Sequence, residues 1–112
     1  MTTPHRITTR RSDEHVVVRD GDVVLADSRR PLVLSEQGLP DRYYLPREDV
    51  RMDLLEPSTT TSHCPFKGDA SYYSAPNTAD AFWVYEEPKD ERAEIAGLLA
   101  PWPGRVEVTV EP

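Results

Sequence analysis

The sequence predicts a mostly-β (α+β) single domain of short antiparallel strands, with one helix in its C-terminal half. Three observations predict it. Eleven prolines against five glycines are spread through 112 residues, and they punctuate short apolar runs as brief strands and turns do. An Asp-Gly pair divides two valine-rich runs. Near the end, valines alternate with polar residues. A chain of this length has room for one core rather than two. Residues 1–14 are expected as a flexible arm, and 15–112 as the β-rich domain.

The elements follow in order. Residues 1–14 are polar around an isolated Ile7, so nothing there pays for ordering. Val16-Val17-Val18 and Val23-Val24-Leu25-Ala26 flank Arg19-Asp20-Gly21-Asp22. Glycine takes positive φ without steric cost, so this reads as a hairpin. Both arms carry apolar residues on both faces, which predicts cover on both sides. Asp27 to Arg30 is a turn, and Leu32-Val33-Leu34 a strand that ends before Gly38 and Pro40. Arg42 to Leu45 is expected to be extended, because the residue before Pro46 is pushed out of the α region.

Pro46-Arg47-Glu48-Asp49 reads as one helical turn, with Pro at its first position and carboxylates near the positive end of its dipole. An extended run to Pro57 should follow. Ser58 to Ser62 is five hydroxyl residues in a row, expected to shape a loop. Lys67-Gly68-Asp69 is a turn, Ala70 to Ser74 a strand, and Pro76-Asn77 the next turn. Ala81 to Tyr85 is apolar on both faces and reads as a central strand. Asp90 caps the predicted helix, in which Ile95, Leu98, Leu99 and Trp102 share one face. Val106, Val108 and Val110 then alternate with polar residues as a final strand.

Charge and cysteine content exclude several function classes. The net charge is −7, and the adjacent pairs Arg10-Arg11 and Arg29-Arg30 each have an Asp within two residues. No basic face for nucleic acid is expected. One cysteine forms neither an internal disulfide nor a Cys-rich zinc site. The apolar runs are far too short for a membrane span, and the N-terminus lacks a secretory apolar region. The expected location is the cytoplasm. No cofactor and no metal are expected, and the sequence leaves the oligomeric state open.

The run Tyr43-Tyr44-Leu45-Pro46-Arg47-Glu48-Asp49-Val50, then Asp53 to Ser58, then Thr61-Ser62-His63-Cys64-Pro65-Phe66-Lys67-Gly68-Asp69 through Tyr73, and finally Trp83 to Pro88 carry a resemblance. Together they resemble the domain-of-unknown-function 427 family over nearly everything after residue 14. The resemblance implies a β-tent-like fold. Many β-tent proteins hold zinc with two Cys-x-x-Cys pairs, and neither pair is present here. The family is sometimes labelled nucleotidyltransferase-like. Such enzymes use a Gly-Ser loop for phosphates and paired carboxylates for metal ions. No Gly-Ser dipeptide occurs, and the sole Asp-x-Asp, Asp20-Gly21-Asp22, sits on the predicted hairpin tip.

Thr59 to Ser74 concentrates the reactive side chains. Cys64 and His63 are adjacent, but neighbours on an extended segment point to opposite faces, so His63 is poorly placed to activate the thiol. Lys67 is a cation on a turn that Gly68 lets a ligand approach. Glu48 and Asp49 are candidate acceptors or acid/base groups. Tyr44, Tyr73, Trp83 and Tyr85 are candidate walls, each an apolar body with one polar tip. The candidate ligand-binding residues are therefore Lys67, Cys64, Tyr44, Glu48, Tyr73, Trp83 and Tyr85. The first expectation is a small-molecule-binding cleft among these residues, with no catalytic residue assignable. The alternatives are a small enzyme acting on a polar metabolite in the same cleft, and a protein-interaction domain that pairs through its C-terminal β edge.

Overall fold

The computed structural model describes residues 6–112, in which ten strands form three antiparallel sheets. The strands are β1 (Ile7–Arg11), β2 (His15–Asp20), β3 (Val23–Ser28), β4 (Leu32–Glu36) and β5 (Arg42–Tyr44). They continue with β6 (Glu56–Cys64), β7 (Gly68–Ala75), β8 (Thr78–Val84), β9 (Leu99–Pro101) and β10 (Glu107–Glu111). The sheets have the orders β1-β4-β5, β10-β2-β3 and β6-β7-β8-β9. Among the described residues, no helix is long and apolar enough to cross a membrane.

The four-stranded sheet is the middle layer, because strand alternation sends its side chains both ways. Phe82 and Val84 face one core cluster with Val16, Val18 and Leu25 of the β2–β3 hairpin. Trp83 and Tyr85 face a second cluster with Leu32, Leu34 and Tyr44 of the β4–β5 sheet. Phe82 has no exposed surface, and burial of such a ring contributes about 2–3 kcal/mol. The outer sheets are tied to the middle one by polar contacts. Leu45 and Leu99 exchange backbone hydrogen bonds of 2.8 and 2.9 Å, joining β5 to β9. The Asp20 carboxylate accepts from the Asn77 amide at 3.2 Å and from the Thr78 hydroxyl at 2.9 Å. Asp20 of the Asp-x-Asp therefore clamps two hairpins together.

The Asp-Gly hairpin forms where expected, with Gly21 at φ +61°. Its cover holds along β2, where Val16, Val17 and Val18 are all buried, but is lost on both faces at the tip, where the neighbours Val23 and Val24 are exposed. Residues 1–5 of the expected arm lie outside the described residues. The rest of that arm departs from expectation, since β1 pairs along its whole length with β4. Backbone pairing needs no apolar side chain, and the Thr and Arg side chains of an edge strand stay solvated.

Three further expectations are corrected. In place of a helix, a 3-10 turn over Asp90–Ile95 is broken at Arg92 (φ −122°, ψ 25°). Gly97 follows at φ +72°, and its amide bonds to Tyr85 O at 3.0 Å. Leu99–Pro101 then pairs with β8. Three of the four residues with helical spacing divide between the clusters: Ile95 and Leu98 go to the second and Leu99 to the first. Tertiary pairing outweighs a local pattern that proline and glycine already weaken. Ser58 to Ser62 is not a loop but part of β6, an end strand whose residues are mostly exposed. Its pairing with β7 is irregular between Pro57 and Thr61, where Ser58 Oγ accepts from the Thr60 amide at 3.1 Å. Finally, a second 3-10 turn, Met52–Leu54, interrupts the run to Pro57; Arg51 and Asp53 bridge across it at 2.9 and 3.0 Å.

Candidate functional site

A cleft of about 250 Å3 opens between the β4–β5 sheet and the middle sheet. It lies above the second core cluster. Glu36 enters it at the end of β4, Leu39 and Pro40 from the following turn, and Arg42 from β5. Lys67 enters from the β6–β7 turn, Tyr72 from β7, Trp83 from β8, and Tyr85 and Trp102 from just beyond β8 and β9.

Local structure fixes where Lys67 stands. Its amide donates to Cys64 O at 3.2 Å, closing the turn. Its carbonyl accepts from the Lys89 amide at 2.8 Å. Gly68 takes φ +118°, which an L side chain rarely adopts, and the Pro88–Lys89 backbone packs beside it. Lys67 Nζ then reaches Glu36 Oε1 at 3.0 Å, with only 11% and 9% of the two side chains exposed. The ammonium also lies 5.9 Å from the Tyr85 ring centre. A pair this dry costs desolvation, which the contact must offset.

The aromatic wall is a connected row. Tyr44 meets Trp83 edge-on, Trp83 meets Trp102 edge-on, and Trp102 meets Tyr72 at a tilt, with centroids 5.9–6.3 Å apart. Trp83 Nε1 donates to the Tyr44 hydroxyl at 3.1 Å. Burial pushes the Tyr44 phenol up to about 12, so it stays neutral as an acceptor for the indole. Burial also pushes the Tyr85 phenol up. Tyr72 Oη pairs with Ser62 Oγ at 2.9 Å, which fixes the ring from its outer end. Such edge-to-face contacts hold rings rigid at little entropic cost.

Of the candidate residues read from the sequence, Lys67, Trp83 and Tyr85 come together in the cleft, and Tyr44 supports it from below. Cys64 is half-buried and packs against the second cluster without lining the cleft. His63 is exposed and turns to Asp69, Nδ1 to Oδ1 at 2.7 Å, away from the thiol. Tyr73 and Glu48 stand elsewhere. Tyr73 packs on the first cluster with Arg47 5.8 Å from its ring centre. The Glu48 side chain is 73% exposed, 3.9 Å from Arg30. Asp49 accepts from Ser28 Oγ at 2.8 Å and from Arg30 Nε at 3.1 Å; the Arg30 guanidinium holds its carboxyl below the usual range. The Arg-Glu-Asp turn thus braces the β2–β3 hairpin and forms no part of the cleft.

Sequence reasoning missed Glu36, Arg42, Tyr72 and Trp102. For three of them period-2 parity was the available signal. Glu36 continues the face of Leu32 and Leu34, and Arg42 shares a face with Tyr44. Tyr72 lies opposite Trp83 in the register, whereas Tyr73 lies opposite Phe82. Trp102 was assigned to a helix face that does not form.

Residues 8–112 match the family described as a domain of unknown function, DUF427, and the chain belongs to that family. No curated protein matches it.

Proposed function

We propose that this DUF427 domain binds a small molecule in the cleft between the β4–β5 sheet and the middle sheet. The observation that carries the reading is the Lys67–Glu36 pair, nearly dry and set against four aromatic rings. Concave, mostly apolar sites with few, well-placed polar groups are what small ligands need. A volume of about 250 Å3 falls just under the roughly 300–1,000 Å3 of drug-sized pockets. The ligand is therefore small. In this reading the frame is β-tent-like, with the cleft seated where two of its three sheets meet.

A thermal-shift screen of a metabolite library tests it, since a ligand bound only by the native state raises stability by mass action. Hits should lose their shift in Trp83→Leu, a substitution that shortens the wall, and keep it in Tyr73→Leu on the other face. A library without hits, or hits indifferent to Trp83, refutes the cleft. The enzyme alternative changes its residues. Glu48 and Asp49 stand outside the cleft, so acid/base work there would fall to Glu36, with Lys67 as its electrostatic partner. Turnover lost in Glu36→Gln with ligand affinity retained would favour that alternative.

A further inference from the structure

We infer that the ligand of this cleft is a flat, largely apolar acid whose oxyanion is recognised by Arg42; the inference rests on the binding reading above. Three observations carry it. The first is charge. The lining holds two cations, Lys67 and Arg42, against one carboxylate, Glu36. Lys67 is neutralised by Glu36 at 3.0 Å. Among the described residues, no carboxylate pairs with Arg42, so one positive charge is left over within a chain of net charge −7.

The second observation is how Arg42 is held. Its guanidinium carbon lies 5.8 Å from the centre of the Trp83 ring. A guanidinium over an indole keeps its N–H donors at the edge of the plane, where they meet a carboxylate in a two-pronged contact. The indole is itself held by Tyr44 at 3.1 Å, so the support beneath the cation is rigid. By contrast, Arg105 sits 3.8 Å from the Trp102 ring centre but is engaged with Ala79 O at 3.3 Å and lies 4.0 Å from Asp80. Of these two arginines over tryptophan rings, Arg42 is the one that lines the cleft without a carboxylate.

The third observation is the rest of the lining. Tyr72, Trp83, Tyr85 and Trp102 form the walls, and Leu39 stands at the rim with 53% of its surface exposed. Aromatic walls favour a planar apolar body, and an exposed leucine beside them is apolar surface left to be covered. A bare phosphate would leave these walls unmatched, and an organic cation would meet Arg42.

The test uses four probes that separate shape from charge: 2-naphthoate, 2-naphthamide, 2-naphthylmethylammonium and cyclohexanecarboxylate, titrated calorimetrically into the full chain. Naphthoate should bind, and naphthamide should bind about tenfold or more weakly, the value of a charge-assisted hydrogen bond. Cyclohexanecarboxylate, which keeps the charge and loses the flat ring, should also bind more weakly than naphthoate; equal affinity overturns the flat ligand. Raising the salt should weaken the acid and spare the amide. Arg42→Met should bring naphthoate down to the affinity of naphthamide and leave naphthamide unchanged. Arg42→Lys, which keeps the charge and loses the fork, should fall between. Should Arg42→Met fail to fold, Arg42→Lys and the salt dependence of the wild-type chain still decide. Ammonium binding as tight as naphthoate, or naphthoate affinity indifferent to Arg42, overturns the acid while leaving the cleft in place. If no naphthalene probe binds but the metabolite screen finds another ligand that depends on Trp83, the ligand class is wrong and the cleft stands. If neither gives binding, both fall.

Discussion

Two cations sit over tyrosine rings on opposite faces of the middle sheet, and the difference between them is what singles out the proposed cleft. Lys67 lies 5.9 Å from the Tyr85 ring centre and 3.0 Å from Glu36. Arg47 lies 5.8 Å from the Tyr73 ring centre, and one of its nitrogens donates to both Glu86 oxygens at 2.7 and 2.9 Å. On paper the second pair is the better formed. Yet 37% and 50% of its side chains are exposed, against 11% and 9% for the first. Water screens the Arg47 pair, so its net worth is about 0–1 kcal/mol. The Lys67 pair faces a cleft and is nearly dry, so water screens it far less. Burial, not contact geometry, separates a brace from a site.

The sharpest way to break this comparison is to cut both pairs. Lys67→Met leaves the Glu36 carboxylate without its lysine in a dry place. It should cost about 2–3 kcal/mol in urea unfolding, somewhat below the 3–5 kcal/mol of a fully buried pair. Adding Glu36→Gln should recover part of that loss. Arg47→Met should cost less than about 1 kcal/mol. Equal costs would mean that the cleft pair is no drier in solution than the surface one.

Next in size is the turn that presents Lys67. Gly68→Ala must hold φ near +118°, at a cost of order 1–3 kcal/mol. Thermal unfolding should reveal it, and ligand affinity should fall with it because the turn aims the lysine. Unchanged stability would show that the turn relaxes freely and presents nothing.

The two adjacent tyrosines make the comparison directly. Tyr72→Leu should weaken ligand binding severalfold with a modest loss of stability, whereas Tyr73→Leu should lower stability and leave binding alone. Calorimetric titration beside thermal unfolding separates the two, and the opposite outcome would exchange the faces.

Acid should reach the bracing side through Asp49. Its folded carboxyl is held low, first by the Arg30 hydrogen bond. The unfolded chain therefore takes up the proton at a higher pH, near the ordinary value of about 3.9. The stability from this contact is present above that pH and is lost as pH falls through the lower folded value. Asp49→Asn should flatten the stability–pH slope there, measured by urea unfolding across the acid range. The smallest effect should come from Glu48→Gln: within about 0.5 kcal/mol in stability and none on binding. A marked effect would return the Arg-Glu-Asp turn to the site.

Much of this was legible in the chain. Asp-Gly at 20–21, the apolar run Ala81 to Tyr85 and the alternating Val106 to Val110 each declare a strand or turn through local sterics and period-2 burial. The placement of Lys67 and Trp83, two residues of the proposed cleft, was legible for a similar reason: a lysine on a glycine turn and an indole on a central strand are local facts. Tyr73 in place of Tyr72 was an error of parity, and the register with Trp83 corrects it. The predicted helix failed because Leu99–Pro101 finds partners in β8 and Leu45, which no local window contains.

By itself, then, the sequence determined the strands and turns with a strong local pattern, from the Asp-Gly hairpin to the last alternating strand, and the alternation of faces within them, because those depend on backbone sterics and near neighbours; β1, most of β6 and β9 were not among them. Only the tertiary structure decided which faces meet. Glu36, Arg42, Lys67 and Trp102 come from four separate segments, and nothing in their spacing announces that they share a cleft. Their juxtaposition follows from how three sheets cover one another's apolar faces, and that is settled by long-range burial. The same covering leaves Lys67 dry and Arg47 wet, although the chain gives both a tyrosine and a glutamate.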